Sequence, residues 1–292
     1  MASKKKHLKP KSLSHGRPPT AKPFRAPNIS SKATRNLIRS HHTLEKQRAK
    51  ALADGDEEKA AALAKQIESQ GGIESYQKAS LLGQANDRGG DSSRILMEWL
   101  EPVLSDLKDQ DAGGLSPVRM LEVGALSLTN ACSRSGLFEV ERIDLNSQAE
   151  GILQQDFMER PLPSSNKEKF DIISLSLVLN YVPDPSGRGE MLLRTLQFLR
   201  TGDYVGKLGE FLPSLFLVLP ASCVTNSRYM DEAKMEAIME SLGYSMVTKK
   251  LSNKLVYYLW RVTSQLLKHR TSFKKEELRS GKTRNNFSVI LK

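Results

Sequence analysis

A chain of 292 residues with 39% hydrophobic content is long enough to bury the core of one large α/β domain plus extensions. No run approaches the ~18 consecutive apolar residues a membrane helix needs, and no basic-then-apolar start resembles a secretion signal, so a soluble intracellular protein without a membrane partner is expected. The two cysteines, Cys132 and Cys223, lack any CxxC or Cys/His pattern, which argues against a disulfide framework and a zinc site and for reduced thiols.

Charge is uneven. Residues 1–50 hold fourteen Lys/Arg against one acid, Glu45, and Arg261–Lys292 hold nine against two, Glu276 and Glu277. With the whole chain at +11, the middle stretch 51–260 carries −9. Basic arms release counterions when they meet a phosphate backbone, which gives sequence-independent affinity for nucleic acid. The opening KKKHLKPK reads either as an import signal alone or as one that also touches RNA.

Residues 1–32 are rich in Pro, Ser and Lys and poor in apolar groups, so a disordered basic tail is expected there. From Ala33 a helical spacing begins with Leu37, Ile38, Leu44, Ala51 and Leu52. Asp54 or Asp56 can cap a second helix through Ile67 that Gly71-Gly72 ends, so residues 33–114 read as a helical N-terminal extension. Polar, small and aromatic residues then cluster ahead of an amphipathic helix capped by Ser92 or Ser93, with Ile95, Leu96, Trp99, Leu100, Val103 and Leu104 as its buried stripe. Gly113-Gly114 and Pro117 form a loop before the main alternation.

Strands are expected near 118–123, 139–144, 151–155, 170–176 and 214–219, and helices near 126–135, 189–200 and 230–242. SMVTKK and LVYYLWRV pair as a closing hairpin, so residues 115–262 form a seven-strand Rossmann-like α/β domain, followed by a basic C-terminal tail over 263–292. The strand number and the hairpin favour an S-adenosylmethionine (SAM)-dependent methyltransferase over a dehydrogenase.

Strand one, VRMLEVG, ends at Gly124, and ERIDLN ends at Asp144, where an acid can accept both ribose hydroxyls. Gly124 is followed by Ala125, Leu126 and Ser127 rather than by a GxGxxG loop; that loss counts against NAD, whose pyrophosphate needs the loop, and hardly against SAM. Asp156-Phe157 closes the third strand, where an acid can bind an adenine amino group and an aromatic can contact the ring. Strand four delivers Ser176, Asn180, Tyr181 and Pro183 to the carboxyl edge of the sheet, and strand five offers Asn226, Ser227, Arg228 and Tyr229 to the same crevice. All five histidines, His7, His15, His41, His42 and His269, lie outside residues 70–262, so the core is expected to lack an imidazole base and a metal ligand. Methyl transfer to a ring nitrogen tolerates that, because the nitrogen has its own lone pair and catalysis can rest on alignment and water exclusion.

The residues LEVGALS, RIDLN, DIISLSLVLNYVPDP and NSRYM, with YQKASLLGQANDRGGDSS, resemble the fungal family of 25S ribosomal RNA adenine-N1 methyltransferases over about 35–292. The resemblance implies a class I SAM-dependent fold, SAM as donor without a metal, large-subunit rRNA or a pre-ribosomal particle as partner, and a place in the nucleus and nucleolus. It implies cofactor contacts at Gly124 and Asp144, and similarity to related animal SAM-sensor proteins adds Arg88, Asp156, Phe157 and Ser176. Adenine amino-methyltransferases commonly carry Asn-Pro-Pro-aromatic after strand four, whereas this chain has Asn180-Tyr181-Val182-Pro183. Substrate-positioning roles are assigned to Asn180 at the base edge, Tyr181 as a stacking ring and Arg228 at a phosphate. The competing readings are a SAM sensor that does not transfer methyl and a ribosome-assembly factor that keeps the fold without turnover.

Overall fold

A computed structural model describes residues 30–83, 90–103, 117–147, 149–202, 204, 206–263 and 271–292. Among these, seven strands form one sheet: β1 Val118–Val123, β2 Phe138–Asp144, β3 Leu153–Gln154, β4 Ile172–Ser176, β5 Ser214–Pro220, β6 Tyr244–Leu251 and β7 Leu255–Val262. Their order is β3-β2-β1-β4-β5-β7-β6. β1 to β5 run parallel, while β7 lies antiparallel to β5 and pairs with β6 as the expected closing hairpin. The chain begins mid-sheet at β1, winds outward to β3, and returns to β4 on the other side of β1. That reversal opens a crevice at the carboxyl ends of β1 and β4, where open α/β sheets bind ligands.

The strand sequences explain the two-sided burial. In β5, Leu215, Leu217 and Leu219 point into one core and Phe216 and Val218 into the other; β1 divides Leu121 and Val123 from Val118 and Met120 in the same way. Such strands read as continuous apolar runs because helices cover both faces. The first face is closed by α6 Pro185–Phe198 and α7 Glu232–Ser241, and the second by α4 Ser93–Leu100 and α5 Ala131–Ser135.

Helix starts follow their caps. Asp184 accepts from Gly187 N to begin α6 with Pro185 in its first turn, and Asp231 accepts from Lys234 N to begin α7. The helix expected over 126–135 is confined to α5, because Ser127 and Thr129 hydrogen-bond each other and Asn130 caps the helix by accepting from Ser133 N. The cap of α4 also differs from expectation. Asp91 Oδ1 accepts from both the backbone N and the hydroxyl of Ser93, which frees Ser92 for another contact.

Ahead of α4, the N-terminal extension contains three helices where a two-helix hairpin was expected: α1 Ser31–Ala53, α2 Glu57–Ser69 and α3 Gly72–Gly83. Asp56 caps α2, and Leu44, Ala51, Ala60, Leu63 and Ile67 form a small core between α1 and α2. The expectation of disorder over 1–32 falls almost wholly outside the described residues, as does the 113–114 loop. Residues 271–292, legible in sequence only as a basic tail, pack on the first face: Phe287, Val289 and Leu291 are buried there, and Phe273 bridges to Leu291.

Candidate active site

Gly124 leaves β1 with φ +74°, and its N–H and that of Ala125 both donate to Ile143 O of β2. A Cβ at this position would lie 2.6 Å from Val178 Cγ2, so the turn passes the β4 loop with room for a hydrogen only. Across it, the Asp144 carboxylate accepts from Asn146 N at 2.8 Å; burial raises its pKa against that hydrogen bond. Asn146 in turn is locked to α3, since Gln77 Nε2 donates to Asn146 O and Asn146 Nδ2 donates to Gln77 Oε1. Gln77 is buried, so the N-terminal extension fixes the loop that presents Asp144.

On the β4 side, Ser176 ends the strand with its hydroxyl 2.8 Å from that of Ser92, tying the start of α4 to the sheet edge. Leu177 follows with φ +59°, a left-handed conformation that costs a branched residue about 1–2 kcal/mol and marks many functional sites. Asn180 and Tyr181 follow in the loop between β4 and α6. Asn180 Oδ1 is buried without a hydrogen-bond partner, while its side chain and that of Tyr76 hydrogen-bond the Tyr181 hydroxyl. Burial raises the Tyr181 pKa in spite of those bonds.

The structure corrects several sequence expectations. His42 of α1 stacks on Tyr181 with centroids 3.8 Å apart and planes 20° apart, so an imidazole does reach the site despite its distance in sequence. Tyr76 of α3 meets both rings edge-on, and His41 stacks on Tyr76 at 4.7 Å. One face of Tyr181, assigned to stack on a base, is therefore covered by protein. Phe157 is only 2% exposed and packs on Phe198 at 5.3 Å, so its ring faces the core, and only its backbone is left for an adenine. Asp156 is exposed and accepts from Met158 N. Arg88 lies outside the described residues.

Arg228 spends three of its five N–H groups inside the chain. Its Nε and Nη2 donate to Gly281 O, and its Nη1 donates to Asn286 Oδ1. Its neighbours do the same work: Asn226 donates to Thr283 O and Ser227 to Phe287 O. This cluster holds residues 281–287 in place. Arg228→Ala is expected to lower stability by about 1–2 kcal/mol and hasten proteolysis within 271–292, with methylation changed by less than about threefold.

A titratable group missed in the sequence lies two residues before Gly124. Burial pushes the Glu122 carboxyl up to about 7, against the Asn130 amide, whose Nδ2 is 2.8 Å from both oxygens, and against Arg142, with Asp91 adding to the rise. Between its ordinary 4.5 and this value the folded state binds more protons than the unfolded state. Stability therefore falls as pH rises through that window, by about 3 kcal/mol for this group. In urea titrations at pH 5 and pH 8, Glu122→Gln is expected to flatten the difference; an unchanged difference would assign it to other groups.

A depression of about 680 Å³ is lined by Arg119, Gln155, Arg160 and Lys167, and by neither Gly124 nor Asp144. Arg119 and Arg160 are tied to Glu139, Glu141 and backbone carbonyls there.

Residues 61–289 match the family model described as 25S rRNA (adenine(2142)-N(1))-methyltransferase, Bmt2. The chain is 41% identical over 259 residues to the 25S rRNA adenine-N(1) methyltransferase of Schizosaccharomyces pombe, covering 87% of this chain and 89% of that protein. It is 39% identical over 227 residues to the 25S rRNA (adenine(2142)-N(1))-methyltransferase of Saccharomyces cerevisiae, covering 77% of this chain and 62% of that longer protein. Solved structures similar to it include a Burkholderia thailandensis 1,6-didemethyltoxoflavin-N1-methyltransferase with S-adenosylhomocysteine, at 12% identity and TM-score 0.40 over 64% of this chain and 87% of that one. An rRNA methylase from Escherichia coli matches at 14% identity and TM-score 0.32 over 80% and 79%.

Proposed function

The chain belongs to the 25S rRNA (adenine(2142)-N(1))-methyltransferase family, with the seven-strand fold of class I SAM-dependent methyltransferases, and from that premise we propose that it methylates N1 of an adenine in large-subunit ribosomal RNA with SAM as donor. The observation that carries the reading is the Gly124 turn, where a Cβ would meet Val178 at 2.6 Å, set opposite the half-buried Asp144. A nucleoside can approach the backbone closely there, its ribose hydroxyls reaching a carboxylate that already holds its loop in place. The residues fit the donor: Gly124 and Asp144 frame it, Ser176 lines the strand edge, and Asp156 with the Phe157 backbone stands at the adenine end. Bound SAM supplies an electrophilic methyl group, which a ring nitrogen accepts with its own lone pair and without surrendering a proton.

Asn180 is assigned to the base. Its carbonyl oxygen is a buried acceptor without a partner, and an adenine amino group would satisfy it, more strongly as the methylated ring becomes cationic. The basic ends of the chain support contact with an RNA backbone and a nuclear or nucleolar setting on a pre-ribosomal particle.

The test combines calorimetric titration of the purified protein with SAM, incubation with large-subunit rRNA, and mass spectrometry of the digested nucleosides. N1-methyladenosine at a single position is expected. SAM uptake without methyl incorporation into any rRNA would favour the sensor reading instead, and absence of uptake would remove both.

A further inference from the structure

Resting on the adenine-N1 reading, we infer that His42 of α1 hydrogen-bonds N7 of the target adenine while Asn180 accepts from its amino group, so that the N-terminal extension helps select adenine over guanine. The geometry is a three-element assembly: α1 brings His42, α3 brings Tyr76, and the turn after β4 brings Asn180 and Tyr181. His42 stacks on one face of Tyr181 while Tyr76 buttresses both rings edge-on.

Two buried polar atoms next to Tyr181 wait for partners. His42 Nε2 and Asn180 Oδ1 each lack a hydrogen bond, although most buried polar groups in folded proteins have one. The Asn180 amide hydrogen-bonds the Tyr181 hydroxyl, which leaves its oxygen as the free acceptor. Burial, helped by His41 and Lys46, holds the His42 imidazole neutral with a pKa pushed down to about 3. We take the tautomer with its proton on Nε2, in which the neutral imidazole is a donor and puts no positive charge beside a base that becomes a cation.

An acceptor beside a donor matches the Hoogsteen edge of adenine, which presents an amino donor and the N7 acceptor. Guanine presents O6 and N7, two acceptors, and its O6 would face the Asn180 oxygen. Holding adenine by this edge leaves N1 uncovered for the methyl group, whereas holding it by the Watson–Crick edge would cover the nucleophile.

The experiment is single-turnover methylation of an rRNA fragment carrying either adenine or 7-deazaadenine at the target, by the wild-type protein, His42→Phe and His42→Gln. SAM affinity and melting temperature are measured for each protein. Phenylalanine keeps the ring stack and loses the N–H; glutamine keeps an N–H and loses the stack. Wild type is expected to lose about tenfold on the 7-deaza substrate, the size of one good base contact. His42→Phe is expected to be about tenfold slow on the natural RNA with no further 7-deaza penalty, and His42→Gln to retain part of that penalty, with SAM affinity unchanged in both. A His42→Phe protein as fast as wild type, or one with the full 7-deaza penalty, overturns the inference alone. Failure of wild type to methylate the natural RNA overturns the adenine-N1 reading and this inference with it.

Discussion

Gly124→Arg is expected to abolish SAM binding, weakening it about a thousandfold or more, and to remove methyl incorporation with it. Two effects act together. The backbone at Gly124 has φ +74°, which costs an L side chain about 1–2 kcal/mol, and the first carbon of any side chain would sit 2.6 Å from Val178 Cγ2. The rest of the arginine would have to run into the crevice, because β1, β2 and β4 close the other directions. Gly124→Ala separates the two effects, since it adds the strain and the first contact without filling the crevice. It is expected to lower the melting temperature by a few degrees and weaken SAM by about tenfold. Calorimetry with thermal denaturation checks both variants; an arginine variant that binds SAM like wild type would remove Gly124 from the site.

Asn180→Ala carries the second large effect, a fall of about a hundredfold or more in single-turnover methylation, the usual cost of deleting one hydrogen bond that strengthens in a transition state. SAM affinity is expected to stay within about twofold. Stability is informative here because the Asn180 oxygen has no partner in the folded protein. Truncation removes that buried unpaired acceptor, which offsets the loss of the amide's bond to Tyr181. A large rate loss with little change in melting temperature would mark Asn180 as a group kept for substrate; a large melting shift with normal turnover would make it structural.

The sheet was legible because its strands are apolar runs punctuated by turns, and because Gly124 and Asp144 stand at the ends of such runs. Helix α3 was not legible. Its packing relies on Gln77 and Ala79, which are buried without forming an apolar stripe, so periodicity offers no signal there. Within the candidate site, the sequence placed residues at the ends of their own strands and gave no sign of those delivered by tertiary packing. His42 is far from Tyr181 along the chain, and nothing local to either one announces a stack. The packing of Arg228 and Phe157 was not legible for a related reason: strand-edge position fixes where the backbone goes, while these side chains turn to a loop and to the core. Asp91 was passed over because serine is the commoner-looking cap, yet its two oxygens join the starts of two helices, Oδ1 to Ser93 and Oδ2 to Ala131 N.

The packing of residues 285–291 on the first face has a consequence for the order of assembly. Arg188, 3% exposed, donates to Ser288 O and otherwise to the carbonyls of Val182 and Pro183, and a Cβ on Gly189 would strike Ile290 O. These contacts join segments about a hundred positions apart, and every strand is synthesised before the closing piece. During translation that flank of the nascent domain stays greasy and uncapped, with a guanidinium short of an acceptor, until the final stretch emerges. Loop closure over such a span adds to the entropic cost of docking that segment.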